Sequence, residues 1–275
     1  MARRAGARAV AVLLLLAAGC GGPMRDGQAA MRRGDFEAAA RFFRAAAQAS
    51  PDEPGPWMAL GRAEMAAERW ARARDAFGHV ATLRPQSAAP RILVGHTWEL
   101  EHDYDEALAS YRLACEVQPG AARPWRVLGS RLLRWGRPDD AIPALARAVE
   151  LAPDHAETWN ALAMARWHAG DHEGALEVFR DASGRFADHL GLELGLGAAL
   201  VDAHRYEEAL AVYEHVEARH PDLPAVHVGR ALLLHELDRP DEALAAFERA
   251  AAVSGRAPQY VRRLEDYRRL RAASP

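Results

Sequence analysis

The sequence has no lysine: its 35 basic side chains are all arginine, set against 38 acids and 12 histidines. That excludes Schiff-base and lysine-base chemistry outright. Cysteine is nearly absent as well. Only Cys20 and Cys115 occur, and Cys20 falls in the leader described below, so no intramolecular disulfide is expected. There is no excess of positive charge. The formal charge is −3, and it becomes −6 (32 arginines against 38 acids) once Arg3, Arg4 and Arg8 are cleaved away. A mildly acidic chain argues against nucleic acid as a general partner. The apolar run from Ala9 to Ala18 is only about half the roughly 20 residues that a membrane-spanning helix needs.

What the chain has in quantity is repetition. The stretch Ala122–His155 reads as one helical hairpin. Pro124 suits a first helical turn, where a missing N–H is tolerated, and Trp125, Leu128, Leu132 and Leu133 follow at helical spacing. Trp135-Gly136-Arg137-Pro138 breaks that helix. Asp139 and Asp140 open a second one, at the positive end of its dipole. Ala141, Leu145, Ala148 and Leu151 then form a buried stripe, and Pro153 ends the unit. The same frame recurs every 34 residues without an insertion. Position eight is small at Gly27, Gly61, Gly95, Gly129, Ala163, Gly197 and Ala231. Position twenty is always alanine, from Ala39 to Ala243. Position twenty-four is Phe43, Phe77, Tyr111, Leu145, Phe179, Tyr213 and Phe247. Small residues let two helices approach closely, and the ring fills the space beyond them. These residues resemble the tetratricopeptide repeat (TPR) family, over nearly everything after Gly27.

The resemblance implies an all-α fold, a right-handed α-α superhelix of about seven helical hairpins. The units are expected at 24–53, 54–87, 88–121, 122–155, 156–189, 190–223 and 224–257, followed by a capping helix and tail at 258–275. Val261, Leu264 and Tyr267 are expected to form the buried face of that cap, with arginines on its solvated side. Trp57, Trp125 and Trp159 match the family's aromatic fourth position. Arg91, Glu193 and His227 depart from it, which predicts looser seams there. Gly191, Gly195 and Gly197 weaken the sixth unit at about 1 kcal/mol for each interior glycine. On propensity alone, Gly195→Ala ought to stabilise.

Ahead of the repeats, residues 1–19 read as a signal peptide with a basic start and a short apolar run. Leu16-Ala17-Ala18-Gly19-Cys20 resembles the bacterial lipobox, which implies acylation of Cys20. The usual leucine three places before the cysteine is replaced by Ala17. Residues 20–23 would be a short tether, reaching about 10–15 Å. Gly21 stands where enteric lipoproteins retained at the inner membrane carry aspartate, so the expected destination is the periplasmic face of the outer membrane.

Motifs for catalysis are weak. Gly191–Gly197 superficially suggests a phosphate loop, but the frame puts it inside a helix with no strand before it. His168 and His172 have metal-ligand spacing, yet Gly170 places them on either side of a turn, so no metal is expected. Cys115 has no frame-matched base and reads as a small core residue. The acidic pairs Asp105/Glu106, Asp139/Asp140 and Glu207/Glu208 all open second helices and read as caps. The chain is expected to be no enzyme, with no cofactor and no small-molecule substrate.

The resemblance implies a concave face built from A-helix positions two, five, nine, twelve and thirteen. Arg62, Arg123, Arg126 and Arg134 fall there in the front half, offset by Glu99. Asn160, Leu194, Val201, Val228 and Leu232 fall there in the back half. The family's clamp for a terminal carboxylate uses lysine and asparagine, and Arg62 and Asn160 stand at unrelated offsets, so that mode is rejected. The expected partner is an amphipathic peptide, acidic toward Arg126 and apolar toward Leu232. Resembling lipoproteins include pilotins of type IV pilus secretins, outer-membrane assembly components, polysaccharide-export scaffolds and adaptors for peptidoglycan enzymes. The pilotin-like assembly factor stands first, and an adaptor or regulatory subunit for an envelope enzyme is the alternative.

Overall fold

The computed structural model describes residues 22–273, fifteen α-helices with no strand among them. The signal peptide and Cys20 lie outside the described residues. Two compact units divide the chain at Val127/Leu128.

The first unit holds α1 (Gly22–Arg32), α2 (Phe36–Ala49), α3 (Pro54–Ala66), α4 (Trp70–Leu83), α5 (Ala88–Leu100) and α6 (Tyr104–Val117). Helix α7 (Ala122–Arg134) carries the division point. The second unit continues with α8 (Pro138–Leu151), α9 (Ala156–His168), α10 (His172–Arg185), α11 (Leu190–Asp202), α12 (Tyr206–Arg219), α13 (Pro224–Glu236), α14 (Pro240–Val253) and α15 (Pro258–Ala273). From α3 onward, A helices begin at 54, 88, 122, 156, 190 and 224, the expected unit boundaries. One boundary shifts. Helix α1 starts at Gly22, which itself has a φ of +65°, so Pro23 lies in the first turn of the first A helix and not in a tether. Proline costs little there, because the first helical N–H groups have no intrahelical partner anyway.

Each A helix turns into its B helix the same way. The fifteenth residue of every repeat has positive φ: Gly34, Glu68, His102, Gly136, Gly170, His204 and Asp238. The N–H after it bonds back five residues, as in Asp35 to Ala30 (3.0 Å), Arg137 to Leu132 (2.9 Å) and Arg239 to Leu234 (2.8 Å). This Schellman closure satisfies the last carbonyls of each A helix. Four repeats hold it without glycine, at about 1–2 kcal/mol of left-handed strain each.

The close approaches follow the frame. A Cβ on Gly129 would lie 2.5 Å from Leu145 Cγ, and one on Gly95 2.7 Å from Tyr111 Cε1. In the first unit Phe43, Leu60, Ala63 and Ala76 share one buried cluster. In the second, Phe179, Leu192, Leu233, Phe247 and Tyr267 share another. Helix α15 begins in frame at 258, as an eighth A helix would. Leu264 and Tyr267 are buried as expected, Val261 is half-buried, and the Tyr267 ring centroid stands 4.8 Å from that of Phe247. Its arginines meet α14, Arg268 to Glu248 at 2.7 Å and Arg271 to Asp241 at 2.9 Å.

The fourth-position aromatics each make one bond. The indole N–H of Trp57, Trp125 and Trp159 donates to the carbonyl of Pro51, Pro119 and Pro153 at 2.9–3.0 Å. His227 does the same: its Nε2 meets the Pro221 carbonyl at 2.7 Å, and the ring is 1% exposed. A carbonyl only accepts, so Nε2 carries a proton. The expected loose seam at His227 is therefore closed. Arg91 bonds the Ser87 carbonyl (2.8 Å), and buried Glu193 pairs with Arg219, so these departures also have partners.

Candidate peptide-binding cleft

The second unit carries a cleft of about 670 Å³. The A helices α9, α11 and α13 supply Trp167, Ala198, Val201, Asp202, Leu232 and Glu236. All six sit at the positions that the family frame assigns to the concave wall. Leu232 is 49% exposed, an apolar side chain held in the open. It also lines a neighbouring cleft of about 350 Å³ with Phe247, Tyr267 and Leu270.

Sequence reasoning missed the rest of the lining. Tyr213 comes from the middle of α12 and Tyr206 from its first residue, with His204 from the turn before it. The Tyr213 ring lies in a slot between two glycines. A Cβ on Gly197 would stand 2.8 Å from its Cε2, and one on Gly229 2.5 Å from its Cε1. Glycine at position eight of one repeat and position six of the next was the available signal. Burial raises the Tyr213 phenol above its ordinary pKa, so it stays protonated at neutral pH. His204 Nδ1 lies 2.7 Å from the Tyr206 hydroxyl, which fixes that corner.

The expected groove residues divide. Val201 and Leu232 meet in the cleft. Leu194 and Asn160 are half-buried outside its lining. Val228, expected to be exposed, is 8% exposed and belongs to the core. It follows Val226 and His227, 0% and 1% exposed, so the first turns of α13 are enclosed on more than one side. Arg62, Arg123 and Arg134 are exposed and Arg126 is half-buried. None of the four lines the first unit's own cleft of about 380 Å³, where Arg44 and Arg72 stand with Asp75 and buried Glu64. That carboxylate pairs with Arg44 and lies 3.6 Å from Arg69.

Each acidic pair lies in the first turn of α6, α8 or α12, at the positive end of the helix dipole, but the N-cap positions are Asp103, Arg137 and Arg205, and none of these makes a side-chain capping hydrogen bond. The glycine-rich stretch 191–197 is helical, and His168 and His172 lie on different helices. Among the described residues no cluster of three or more His, Cys, Asp or Glu could hold a metal ion. Cys115 is a free buried thiol, pushed up to about 12 by burial and then by the charge of Glu116. It is a core residue with almost no thiolate at neutral pH. No described helix is long and apolar enough to cross a membrane.

Solved structures share this architecture. The C-terminal part of a TPR repeat-containing protein from Cytophaga hutchinsonii superposes with a TM-score of 0.69 at 13% identity, over 86% of this chain and 98% of that one. A tetratricopeptide repeat protein from Parabacteroides merdae gives 0.55 at 13% identity, over 89% and 96%. A chain of the APC/C hetero-tetramer Cut9–Hcn1 gives 0.52 at 18% identity over 88% of this chain, which spans only 48% of that longer one. At these identities the likeness is one of fold. No curated protein matches the sequence. The family description "Tetratricopeptide repeat" matches residues 126–188 and, in a second form, residues 30–95, 166–233 and 200–265. With the matches covering well over half of the sequence, the chain belongs to the tetratricopeptide repeat family.

Proposed function

We propose that this protein is a scaffold that holds a peptide segment of another protein in the cleft of its second unit. One observation carries the reading: Leu232 stands half-exposed between two adjoining clefts, on the wall that the repeat frame reserves for ligands. A large apolar side chain kept out of the core favours a partner that covers it. Fixed helices on either side lower the entropy lost on binding.

The further proposal concerns place. The apolar run and small residues before Cys20 support a lipid anchor in a bacterial envelope, with the repeats in the periplasm beside the outer membrane. A pilotin-like assembly factor for a type IV pilus secretin fits that combination of anchor and repeats. One experiment addresses both halves. The full chain, purified with its partners from membranes, should begin at an acylated Cys20 by intact mass, and Leu232→Asp should lose partners that the unchanged protein retains. A soluble, unmodified protein would overturn the anchor; an unchanged partner set would overturn the cleft.

A further inference from the structure

The cleft around Tyr213 is acidic and aromatic at once. Its carboxylates are Asp202 and Glu236, its rings are Trp167, Tyr206 and Tyr213, and no arginine lines it. Arg205 pairs with Glu208, Arg239 with Glu242 and Arg230 with Glu217, and Arg263 stands with Asp266 in the adjoining cleft. Asp202 has only His172, at 3.8 Å, and Glu236 has no ion pair among the described residues.

A second observation concerns the Tyr213 hydroxyl. In the third repeat the matching Tyr111 donates its O–H to Glu99 Oε2 at 2.9 Å. Glu99 is position twelve of that repeat, and position twelve of the sixth is Val201. Tyr213 thus keeps its ring in the slot but has lost its acceptor, and its hydroxyl makes no hydrogen bond among the described residues. That hydroxyl is open to solvent rather than buried, and it is available to a ligand in a cleft it shares with Asp202 and Glu236.

Resting on the peptide-scaffold reading, we propose that this cleft takes an arginine side chain, flanked by an apolar residue, from an extended segment of the partner. A guanidinium stacks flat on aromatic faces and forks onto carboxylates, which matches three rings beside two acids better than the compact ammonium of lysine does. The Tyr213 hydroxyl oxygen accepts from the same group. The neighbouring apolar residue covers Leu232 and reaches into the adjoining cleft beside Phe247 and Tyr267. This reverses the charge sense expected from the front-half arginines: the second unit selects a basic ligand.

The probe is a fluorescein-labelled, alanine-rich heptapeptide with a leucine on each side of one arginine. Its twin carries citrulline, which keeps the shape and drops the charge. Fluorescence anisotropy against the full chain should show the arginine peptide binding about tenfold more tightly, about 1.4 kcal/mol. That advantage should shrink with added salt. Asp202→Asn with Glu236→Gln, both at exposed positions, should leave the melting temperature alone and remove the advantage. Leu232→Asp should weaken both peptides, which separates the two levels of the proposal. Equal binding of the twins that is still lost in Leu232→Asp would overturn the arginine assignment and keep the scaffold. Failure of both peptides to bind, or arginine preference untouched by the acid changes, would overturn the assignment too. Self-association abolished by those changes would give the cleft to the arginine-rich C-terminal helix of a second copy instead.

Discussion

Gly129→Leu is expected to destabilise the second unit by about 1–3 kcal/mol, with a lower melting temperature and a less cooperative transition. Even a Cβ at this position would stand 2.5 Å from Leu145 Cγ and 3.1 Å from the Leu145 backbone nitrogen. The Leu145 side chain is 0% exposed and has nowhere to go. Helix propensity pulls the other way, since leucine is better than glycine by somewhat under 1 kcal/mol. Overpacking against a backbone atom exceeds that gain. Circular dichroism with temperature decides the sign, and an unchanged or raised melting point would show that the seam has room.

Gly195→Ala is the sharper case, because sequence and structure give opposite signs. From the sequence, three glycines in one helix look like a weakness that alanine would repair by about 1 kcal/mol. In the structure the added Cβ would stand 2.5 Å from Phe179 Cζ, on a ring that is 0% exposed. The ring has to move or the two helices have to separate, so net destabilisation is expected. Phe179→Leu should relieve the clash, because it removes the ring atoms Cε1 and Cζ that the added Cβ would meet. The double change should therefore be more stable than the two single effects predict, a coupling of about 0.5–3 kcal/mol in urea titrations. Strict additivity would mean that the ring and the glycine do not meet.

The repeats were legible because they rest on near-invariant spacing. Ala39 to Ala243 and Phe43 to Phe247 recur every 34 residues, and each copy has to solve the same packing problem. The turns were only partly legible. Gly136 and Gly170 announce a left-handed residue, whereas Glu68, His102, His204 and Asp238 adopt the same φ under tertiary control. The fourth position was misread at His227, where residue type suggested a gap and ring geometry supplies the indole's hydrogen bond. Periodicity reports which face a residue occupies, not which atoms it presents.

The site was less legible than the fold. The frame correctly put Trp167, Val201, Asp202, Leu232 and Glu236 on one wall, since A-helix positions project the same way in each repeat. It could not place Tyr213, assigned to a seam, because the opening depends on Gly197 and Gly229 both standing aside. Val228 shows the converse error: a groove position in the frame, yet buried with Val226 and His227 at the start of α13. The arginines drew attention by their charge, but Arg62 and Arg123 line none of the three clefts described above.

The most direct measurement is site-specific photo-crosslinking in intact cells, with benzoylphenylalanine in place of Leu232 in one strain and in place of Leu113, an exposed leucine of α6, in another. If the cleft of the second unit is the binding surface, the Leu232 position should yield one discrete adduct, competed by the arginine heptapeptide and not by its citrulline twin. The Leu113 position should yield none. Adducts from Leu113 with none from Leu232 would contradict the assignment and place the partner on the B-helix face.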